Sequence, residues 1–320
     1  MKHLLSLESL SALDMRAILD RVPEFKLHRR LHARPLTGHT WALIFSKSST
    51  RTRVSFEVGL RELGAQVLFL SAADIQLGRG EPIQDTARVL GSMVHGAIIR
   101  TFAQADVDAF ASFSLIPTVN ALTDQEHPCQ ILTDIFTFEE LTGESIEGKI
   151  VTFVGDGACN VPTSWIFAAA RLGFELRIAA PRQFWPDPEL LRRAGAQEDY
   201  RWDLRPTGIT ERFTVGAGIV ELMVDCQLAA RNADLLYTDV WVSMGKEAEA
   251  EDRLRLLSGY QINDSLVALA RPNALVMHCL PAYRGKEIDG ATLEQHAKTI
   301  FTQAENRLHV QKAIIAWMTS

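Results

Sequence analysis

Short apolar blocks alternate with segments of helical periodicity along this chain. Residues 41–45 and 97–99 are continuous apolar blocks, and 66–70 is apolar after Gln66; such blocks are typical of buried strands. Between them, segments such as 54–60 and 83–93 place apolar residues at helical spacing. Strands that alternate with helices favour a mainly parallel sheet with helices on both faces. The first part of the chain is therefore predicted to form a doubly wound α/β domain.

The pattern restarts near Gly143. A buried strand that runs into a turn is predicted over 149–157, followed by a helix through Trp165 and a second strand over 175–179. We therefore predict two doubly wound α/β domains, over 1–142 and 143–303, each with a mainly parallel sheet flanked by helices. A closing helix is predicted over 305–318. Further strands of the second domain are predicted at 235–238, 260–263, 274–277 and 300–302.

The start of the second domain also resembles the first βαβ unit of a dinucleotide-binding fold. Gly155-Asp156-Gly157 follows the strand, but the third glycine of the fingerprint is missing. The next predicted strand ends at Ala179 without an acidic residue. A tight turn between strand and helix explains the two glycines equally well. A nucleotide-dependent oxidoreductase stays an alternative that these residues do not favour.

Composition and charge exclude several classes of protein. The chain has 320 residues, of which 47% are hydrophobic and 22% charged, as in ordinary globular proteins. Its net charge of −6 gives no basic field that would attract nucleic acid. No run approaches the ~20 apolar residues of a membrane span. Four widely spaced cysteines without a CxxC pair argue against a zinc site or a disulfide framework.

The N-terminal residues lack the apolar core of a signal peptide, so we expect a cytoplasmic protein. Positive charge is local in this sequence, and a local cluster suits a small anion better than a nucleic acid.

Ser49-Thr50-Arg51-Thr52 lies where the first predicted strand ends and a helix begins. Backbone N–H groups at a helix start are unpaired, and the helix dipole is positive there. Three hydroxyl groups and a guanidinium at that point would surround a phosphate without a glycine-rich loop. The alternative is an ordinary N-cap beside solvated arginines. The number of polar groups exceeds what a cap needs, which favours an anion site.

Other polar residues follow predicted strands, at the sheet edge where open α/β proteins bind their ligands. They are Arg100, Asn120, His127, Asn160, Asp239 and His278-Cys279. Each has an ordinary alternative: a surface charge, a helix cap, a turn residue or a buried thiol. Their recurrence at strand ends is what favours a common ligand-binding role.

Five motifs give the chain a recognisable identity at the level of a family. Their order and composition resemble those of the transcarbamylases, and the last three resemble the ornithine carbamoyltransferase branch. The motifs are Ser49-Thr50-Arg51-Thr52-Arg53, His127-Pro128-Cys129-Gln130, Asp239-Val240-Trp241-Val242-Ser243-Met244-Gly245, His278-Cys279-Leu280-Pro281-Ala282 and Ala304-Glu305-Asn306-Arg307.

The resemblance implies an architecture that composition and periodicity do not show. It implies that the first domain binds carbamoyl phosphate, that the second binds ornithine, and that the active site lies in the cleft between them. The C-terminal helix 304–320 is expected to pack back on the first domain. A homotrimer, or a multiple of trimers, is expected, with the loop around Gln76 reaching into a neighbouring subunit's site.

The resemblance also assigns roles to residues of the first domain. Ser49, Thr50, Arg51 and Thr52 would hold the phosphate, together with Gln76 of a neighbour. Arg100 would bridge the phosphate and the carbonyl oxygen. His127 would donate to that oxygen, and Gln130 would accept from the amide. Fixed donors at the carbonyl oxygen would stabilise a tetrahedral intermediate. The chemistry requires no metal, cofactor or covalent intermediate.

In the second domain, the resemblance implies that Asn160 contacts the α-carboxylate of ornithine and Asp239 its α-ammonium. Ser243 and the Met244 backbone would complete this clamp, and segment 242–250 would close over the substrate. Cys279 and the Leu280 backbone would lie near the δ-amine, and Arg307 near the carbonyl oxygen.

The sequence departs from the family pattern at Cys159, Pro162 and Cys129. Pro162 is expected to affect the helix start, and Cys129 to pack in the interior.

Two further alternatives concern the substrate and the activity. Another amine, putrescine or an N-acylated ornithine, could replace ornithine as the acceptor. Asp239 argues against both, because putrescine has no α-carboxylate and an acylated amine is no cation. A catalytically silent relative is a third class. The residues that argue against it are Arg51, Arg100, His127, Asp239, Cys279 and Arg307, all of which are present.

Overall fold

The computed structural model describes residues 1–29, 31–71, 81–196, 201–203, 210–243 and 245–320. The chain divides into two compact units. Unit 1 comprises Met1–Phe136 and Glu305–Ser320, and unit 2 comprises Thr137–Ala304. In the described ranges, no helix is both long and apolar enough to cross a membrane.

The strands and helices are numbered in chain order. The strands are β1 Thr40–Phe45, β2 Gln66–Ser71, β3 Gly96–Arg100, β4 Thr118–Leu122, β5 Ile150–Val154, β6 Glu175–Ala179, β7 Arg201–Asp203, β8 Thr210–Val215, β9 Gly218–Met223, β10 Leu235–Thr238 and β11 Leu275–His278. The helices are α1 Ala12–Leu19, α2 Val22–Leu27, α3 Thr50–Glu62, α4 Ile83–Gly91, α5 Gln104–Ser114, α6 Pro128–Thr142, α7 Asn160–Leu172, α8 Pro188–Arg193, α9 Cys226–Ala230, α10 Ala250–Leu257, α11 Asp264–Val267, α12 Gly290–Gln295 and α13 Ala297–Met318.

Unit 1 contains a parallel sheet in the order β2-β1-β3-β4. Strand β1 is almost fully buried, and its Trp41 ring packs over the start of β3. A Cβ at Gly96 would lie 2.6 Å from that ring, so only glycine fits there. The strand order reverses at β1, because β2 and β3 lie on its two sides. Such a reversal opens a crevice at the carboxyl ends of the strands.

Unit 2 contains a sheet in the order β11-β10-β5-β6-β9-β8-β7. The first five strands in this order, from β11 to β9, are parallel to one another. At the other end of the sheet, β8 pairs antiparallel with both β9 and β7. The strand order reverses at β5, which lies between β10 and β6. Its core includes Val154, Leu236 and Val276 from three of the parallel strands.

The predicted fold class, two mainly parallel sheets flanked by helices, is confirmed. Two predicted strands are wrong. Residues 300–302 lie inside α13, and 260–263 form no strand, although Ile262 makes an isolated bridge to Ile288. A short apolar run cannot by itself distinguish a strand from a buried helix segment, which explains the error at 300–302.

Candidate active-site residues

The predicted anion site, Ser49 to Thr52, lies at the junction of β1 and α3. Ser49 is the N-cap of α3, and its hydroxyl oxygen accepts a hydrogen bond from the Thr52 amide at 3.2 Å. Ser46 donates its amide to the carbonyl of Arg100 at 2.8 Å, which ties the end of β1 to the end of β3. The predicted transition from strand to helix at this point is confirmed. Ser49 acts as a cap, which still leaves other N–H groups of the first turn for an anion.

Thr50 and Arg51 are exposed at the start of α3, whereas Thr52 is buried. The helix dipole is positive at this end and has no acidic residue in its first turn to offset it. Arg51 therefore adds a mobile cation to an already positive helix terminus. This combination favours a phosphate ligand.

Arg307, on α13, is held against two of the other predicted residues. Its Nη1 donates to Oε1 of Gln130 at 2.5 Å, and its Nη2 donates to the Thr52 hydroxyl at 3.1 Å. Gln130 also donates its amide to Asp134 Oδ1 at 2.7 Å. The guanidinium is 4% exposed, so a buried positive charge joins α3, α6 and α13. Gln130 was predicted to accept from the carbamoyl amide, and its oxygen has a second lone pair for that bond.

Arg100 and His127 are each 5% exposed and lie at the ends of β3 and the start of α6. Burial holds the pKa of His127 well below its usual value, and the positive charges of Arg307 and Arg100 lower this pKa further. His127 is therefore neutral at neutral pH. A neutral imidazole can donate one hydrogen bond to a carbonyl oxygen without bringing a third positive charge.

Lys47 and Asp124 form a pair in the same region that the sequence did not reveal. Lys47 is buried, its ammonium contacts the Asp124 carboxylate, and it lies 4.4 Å from the Phe102 ring centroid. The pair connects the segment after β1 with the loop before His127. Lys47 belongs to the polar stretch 46–53, but nothing in that stretch indicates which acidic residue it meets.

Asn120 was predicted among the converging polar groups, but its side chain is committed elsewhere. It is fully buried, and its amide donates to the Leu5 carbonyl at 2.9 Å and to Gln104 Oε1 at 3.0 Å. Its contacts fix the N-terminal segment along β4, where Leu4 bridges to Val119. Asn120 is a structural residue.

In unit 2, Asn160 and Asp239 follow the two strands that flank the reversal of strand order, β5 and β10. Asp239 Oδ1 accepts from the Val240 amide at 2.7 Å and from the Cys279 thiol at 2.9 Å. The segments after three neighbouring strands, β5, β10 and β11, thus carry Asn160, Asp239 and Cys279, of which the last two are in contact. These groups offer an amide, a carboxylate and a thiol, which suit a zwitterionic amino acid.

Helix α7 forms normally although Cys159 and Pro162 depart from the family pattern. Helix α7 begins at Asn160, with Cys159 as an N-cap that makes no side-chain cap bond. Pro162 falls in the first turn, where the missing N–H has no intrahelical partner to lose. Cys129 is fully buried, as expected, and burial raises its pKa to about 12.

Ser243 and Leu280 are half-buried. Leu280 has φ 57, a left-handed conformation that residues other than glycine seldom adopt. Gln76 and Met244 lie outside the described residues.

Within the described residues, Asp239, His278 and Cys279 place potential metal-ligand atoms within 4.8 Å of one another. Both ring nitrogens of His278 are engaged, since Nδ1 accepts from the Leu280 amide and Nε2 contacts Glu287. The thiol is likewise engaged with Asp239. The contacts of this cluster are those of a hydrogen-bonded group.

Arg253, on α10, is another residue that the sequence did not reveal. It donates Nε to the Trp241 carbonyl at 2.8 Å and forms a buried ion pair with Asp156. It also reaches Glu249 at 3.3 Å. Arg253 therefore fastens α10 to the loop after β5 and to the loop after β10. Arg253 lies on the buried face of α10, four residues before Leu257. A charged residue among the apolar positions of a helix is the sequence signal for such a contact.

Two family models match the chain. Residues 2–140 match the carbamoyl-P binding domain of aspartate/ornithine carbamoyltransferase, and residues 147–318 match its Asp/Orn binding domain. A protein of Akkermansia muciniphila named ornithine carbamoyltransferase is 51% identical over 99% of this chain and 97% of its own length. One of Syntrophus aciditrophicus with the same name is 48% identical over 98% of each.

Solved structures agree with these matches. An anabolic ornithine carbamoyltransferase of Campylobacter jejuni superposes with a TM-score of 0.87 and 36% identity over 99% of each chain. The ornithine carbamoyltransferase of Pyrococcus furiosus gives a TM-score of 0.87 and 39% identity over 99% of this chain and 97% of its own. With the motif residues placed as described, this chain belongs to the aspartate/ornithine carbamoyltransferase family.

Proposed function

We propose that this protein transfers the carbamoyl group of carbamoyl phosphate to the δ-amine of L-ornithine, giving L-citrulline and phosphate. The observation that carries this proposal is the likeness over the whole chain to relatives named ornithine carbamoyltransferase. The residues to which the resemblance assigns a substrate contact are also present in the sequence. The reaction has two small substrates. We assign carbamoyl phosphate to unit 1 and ornithine to unit 2.

In unit 1, the start of α3 would hold the phosphate through Ser49, Thr50, Arg51 and Thr52, with Gln76 from a neighbouring subunit. Arg100 would contact both the phosphate and the carbonyl oxygen. Support for this assignment comes from the unpaired N–H groups and positive dipole of the α3 start. The buried guanidinium of Arg100 adds charge that solvent screens little.

Carbamoyl transfer develops negative charge on the carbonyl oxygen as the amine attacks. We assign its stabilisation to Arg100, His127 and Arg307, whose donors are fixed before the reaction begins. Fixed donors in a buried site lower the barrier without reorganising, and removing one such donor typically costs about 10²–10³ in turnover. The neutral state of His127 suits donation of a hydrogen bond, and Gln130 would orient the carbamoyl amide.

In unit 2, the second carboxylate oxygen of Asp239 would hold the α-ammonium of ornithine. Asn160 would hold the α-carboxylate, with Ser243 and the Met244 backbone completing the clamp. Cys279 and the Leu280 carbonyl would lie near the δ-amine. Because an alkyl amine is protonated in water at neutral pH, the site must favour the neutral form that attacks.

An acceptor other than ornithine is the second candidate. Putrescine lacks the α-carboxylate that Asn160 would bind, and an N-acylated ornithine lacks the cation that Asp239 would bind. Asp239 accepts hydrogen bonds from the Val240 amide and the Cys279 thiol through one carboxylate oxygen. An ammonium group on the acceptor would complement this carboxylate.

We further propose a homotrimer, or a multiple of trimers, in the cytoplasm, acting in arginine metabolism or a urea cycle. The trimer follows from the family and from the role assigned to Gln76. All four cysteines are free, as is usual in a reducing compartment. Light scattering at two protein concentrations would test the trimer, because a monomeric mass at both would contradict it.

The direct test measures the carbamoylated product formed from carbamoyl phosphate and each of four separate acceptors: ornithine, putrescine, N-acetylornithine and aspartate. Citrulline from ornithine, with much lower turnover of the other three, is expected. Turnover of aspartate but not of ornithine would overturn the assignment.

A further inference from the structure

His278 and Glu287 form a buried pair to which the functional assignment gives no role. Both side chains are fully buried, and His278 Nε2 lies 3.1 Å from Glu287 Oε1. The same carboxylate oxygen accepts the Tyr283 amide at 2.5 Å. A buried carboxylate and a buried imidazole are costly to desolvate, so a fold retains them where their geometry matters.

The hydrogen bonds of His278 fix its tautomer. The Leu280 amide donates to Nδ1 at 2.9 Å. A backbone N–H can only donate, so Nδ1 carries no proton and the ring proton lies on Nε2. That proton points to Glu287. The ring is therefore oriented from one side by the carboxylate and presents an acceptor to the backbone on the other side, as histidines with a supporting carboxylate commonly do.

The backbone of His278 is fixed as well. Its amide donates to Gln303 Oε1 at 3.0 Å, and the Gln303 amide donates to the Tyr237 hydroxyl at 3.4 Å. Tyr237 lies on β10, two residues before Asp239. The end of β11 is thus tied to the strand that carries Asp239.

The residue held by His278 has an unfavourable backbone conformation. Leu280 has φ 57, where a branched side chain is strained. The hydrogen bond from its backbone N–H to His278 Nδ1 compensates for that strain and fixes the turn. This turn directs Cys279 so that its thiol reaches Asp239 Oδ1 at 2.9 Å.

We infer that Glu287 and His278 are positioning residues that hold Cys279 and Leu280 in the shape needed to receive the δ-amine of ornithine. Glu287 orients the ring, the ring holds the Leu280 amide, and the held turn presents the thiol and the Leu280 carbonyl. The inference rests on the proposed function, because the ornithine role of Cys279 and Leu280 does. Neither Glu287 nor His278 need touch the substrate.

Two substitutions at His278 separate the two bonds of its ring. In His278→Asn, the side-chain oxygen lies near the former Nδ1 and can accept from Leu280, while the bond to Glu287 is lost. In His278→Gln, the amide lies near the former Nε2 and can donate to Glu287, while the Leu280 amide loses its partner. Glu287→Gln retains an acceptor for the ring proton. His296→Gln, at the end of α12, is the matched control for a histidine change in the same unit.

The kinetic test measures KM for each substrate and the thermal unfolding midpoint of every variant. His278→Gln should raise KM for ornithine about tenfold, the effect of one lost hydrogen bond, and leave KM for carbamoyl phosphate unchanged. His278→Asn and Glu287→Gln should stay within about threefold of wild type, because each keeps the bond that matters. Equal ornithine KM values for His278→Asn and His278→Gln, whatever their stability, would overturn the inference.

A second readout does not depend on turnover. Iodoacetamide alkylation of Cys279, followed by mass spectrometry with the Cys226 peptide as internal reference, reports the position of the thiol. His278→Gln should alter the Cys279 rate and leave the Cys226 rate unchanged, and an unaltered Cys279 rate counts against the inference. If the wild type makes no citrulline, the proposed function fails, and the alkylation comparison alone decides whether the pair positions the turn.

Discussion

Removing Arg253 should destabilise unit 2 by more than a typical substitution. Its guanidinium pairs with Asp156, and the two side chains are only 9% and 7% exposed. It also donates to the Trp241 carbonyl and lies 4.8 Å from the Phe184 ring centroid. In Arg253→Met the methylene packing is largely retained, whereas Asp156 becomes an unpaired buried carboxylate. Breaking a buried ion pair in this way costs about 3–5 kcal/mol.

A second substitution separates the lost charge from the lost packing. In Arg253→Met/Asp156→Asn, no buried charge remains unpaired, and the asparagine oxygen can still accept the Ala158 amide that Asp156 Oδ1 accepts at 3.0 Å. Replacing a buried pair with neutral groups is often close to neutral in stability. We therefore expect the double variant to recover most of the loss and retain a deficit of about 1–2 kcal/mol, from the bond to Trp241.

The loss should also depend on pH with a defined sign. Burial raises the pKa of Asp156, and the charge of Arg253 opposes that rise. Without Arg253 the folded-state pKa rises further above the unfolded value of about 3.9. The folded state then binds more protons than the unfolded state, so stability is present below the unfolded pKa and is lost as pH rises through the folded pKa. The deficit of Arg253→Met should shrink between pH 7 and pH 5.

Urea unfolding followed by tryptophan fluorescence, at pH 7 and at pH 5, measures both effects. The wild type, Arg253→Met, Asp156→Asn and the double variant complete a cycle whose coupling term isolates the pair. A double variant as unstable as Arg253→Met would refute the electrostatic reasoning. So would a deficit of Arg253→Met that is the same at both pH values.

Three further predictions concern the site and its surroundings. Arg51→Ala should abolish carbamoyl phosphate binding in calorimetry and leave the unfolding midpoint unchanged, because Arg51 is exposed; a lowered midpoint would show a structural role. Burial and the neighbouring Lys312 and Lys26 lower the pKa of His309 to about 4, below its unfolded value. The contribution of His309 to stability is therefore present above about pH 6.5 and is lost as pH falls through pH 4. Wild type should lose about 2 kcal/mol more than His309→Gln between pH 7 and pH 5 in urea unfolding, and identical losses would contradict this. The kcat/KM for ornithine should rise between roughly pH 6 and pH 9, as the attacking amine must be neutral, and a flat profile would count against the mechanism.

Local patterns were sufficient for strands that are buried on both faces. The predicted strands at 175–179 and 235–238 have the bounds of β6 and β10. The pattern was insufficient for β8, where Glu211 and Arg212 interrupt the apolar residues, and for β9, which contains the buried Glu221. A strand whose apolar residues alternate with polar ones has a weaker apolar signal than a continuous apolar strand.

The candidate site residues also fall into those that the sequence could indicate and those that it could not. Residues that lie in short motifs, such as Ser49 to Thr52, could be proposed from the sequence because their chemistry depends on adjacent positions. Residues that act through partners distant in sequence could not. Asp156 and Arg253 are separated by 97 positions, and neither has a local feature that identifies the other. Glu287 likewise gains its role only because the fold brings it to His278.

Both units place the residues that we propose to bind substrate at the same topological point, which is how one kind of sheet would serve two different substrates. In unit 1 the strand order reverses at β1, and the segments after β1 and β3 carry the α3 start and Arg100. In unit 2 it reverses at β5, and the segments after β5 and β10 carry Asn160 and Asp239. Connections leave in opposite directions at a reversal, so side chains there can surround a ligand while the strands stay packed. The sheet thus determines where a ligand binds, and the residues at the strand ends determine which ligand. Hydroxyl groups and arginines at one reversal suit a phosphate, whereas an amide and a carboxylate at the other suit an amino acid.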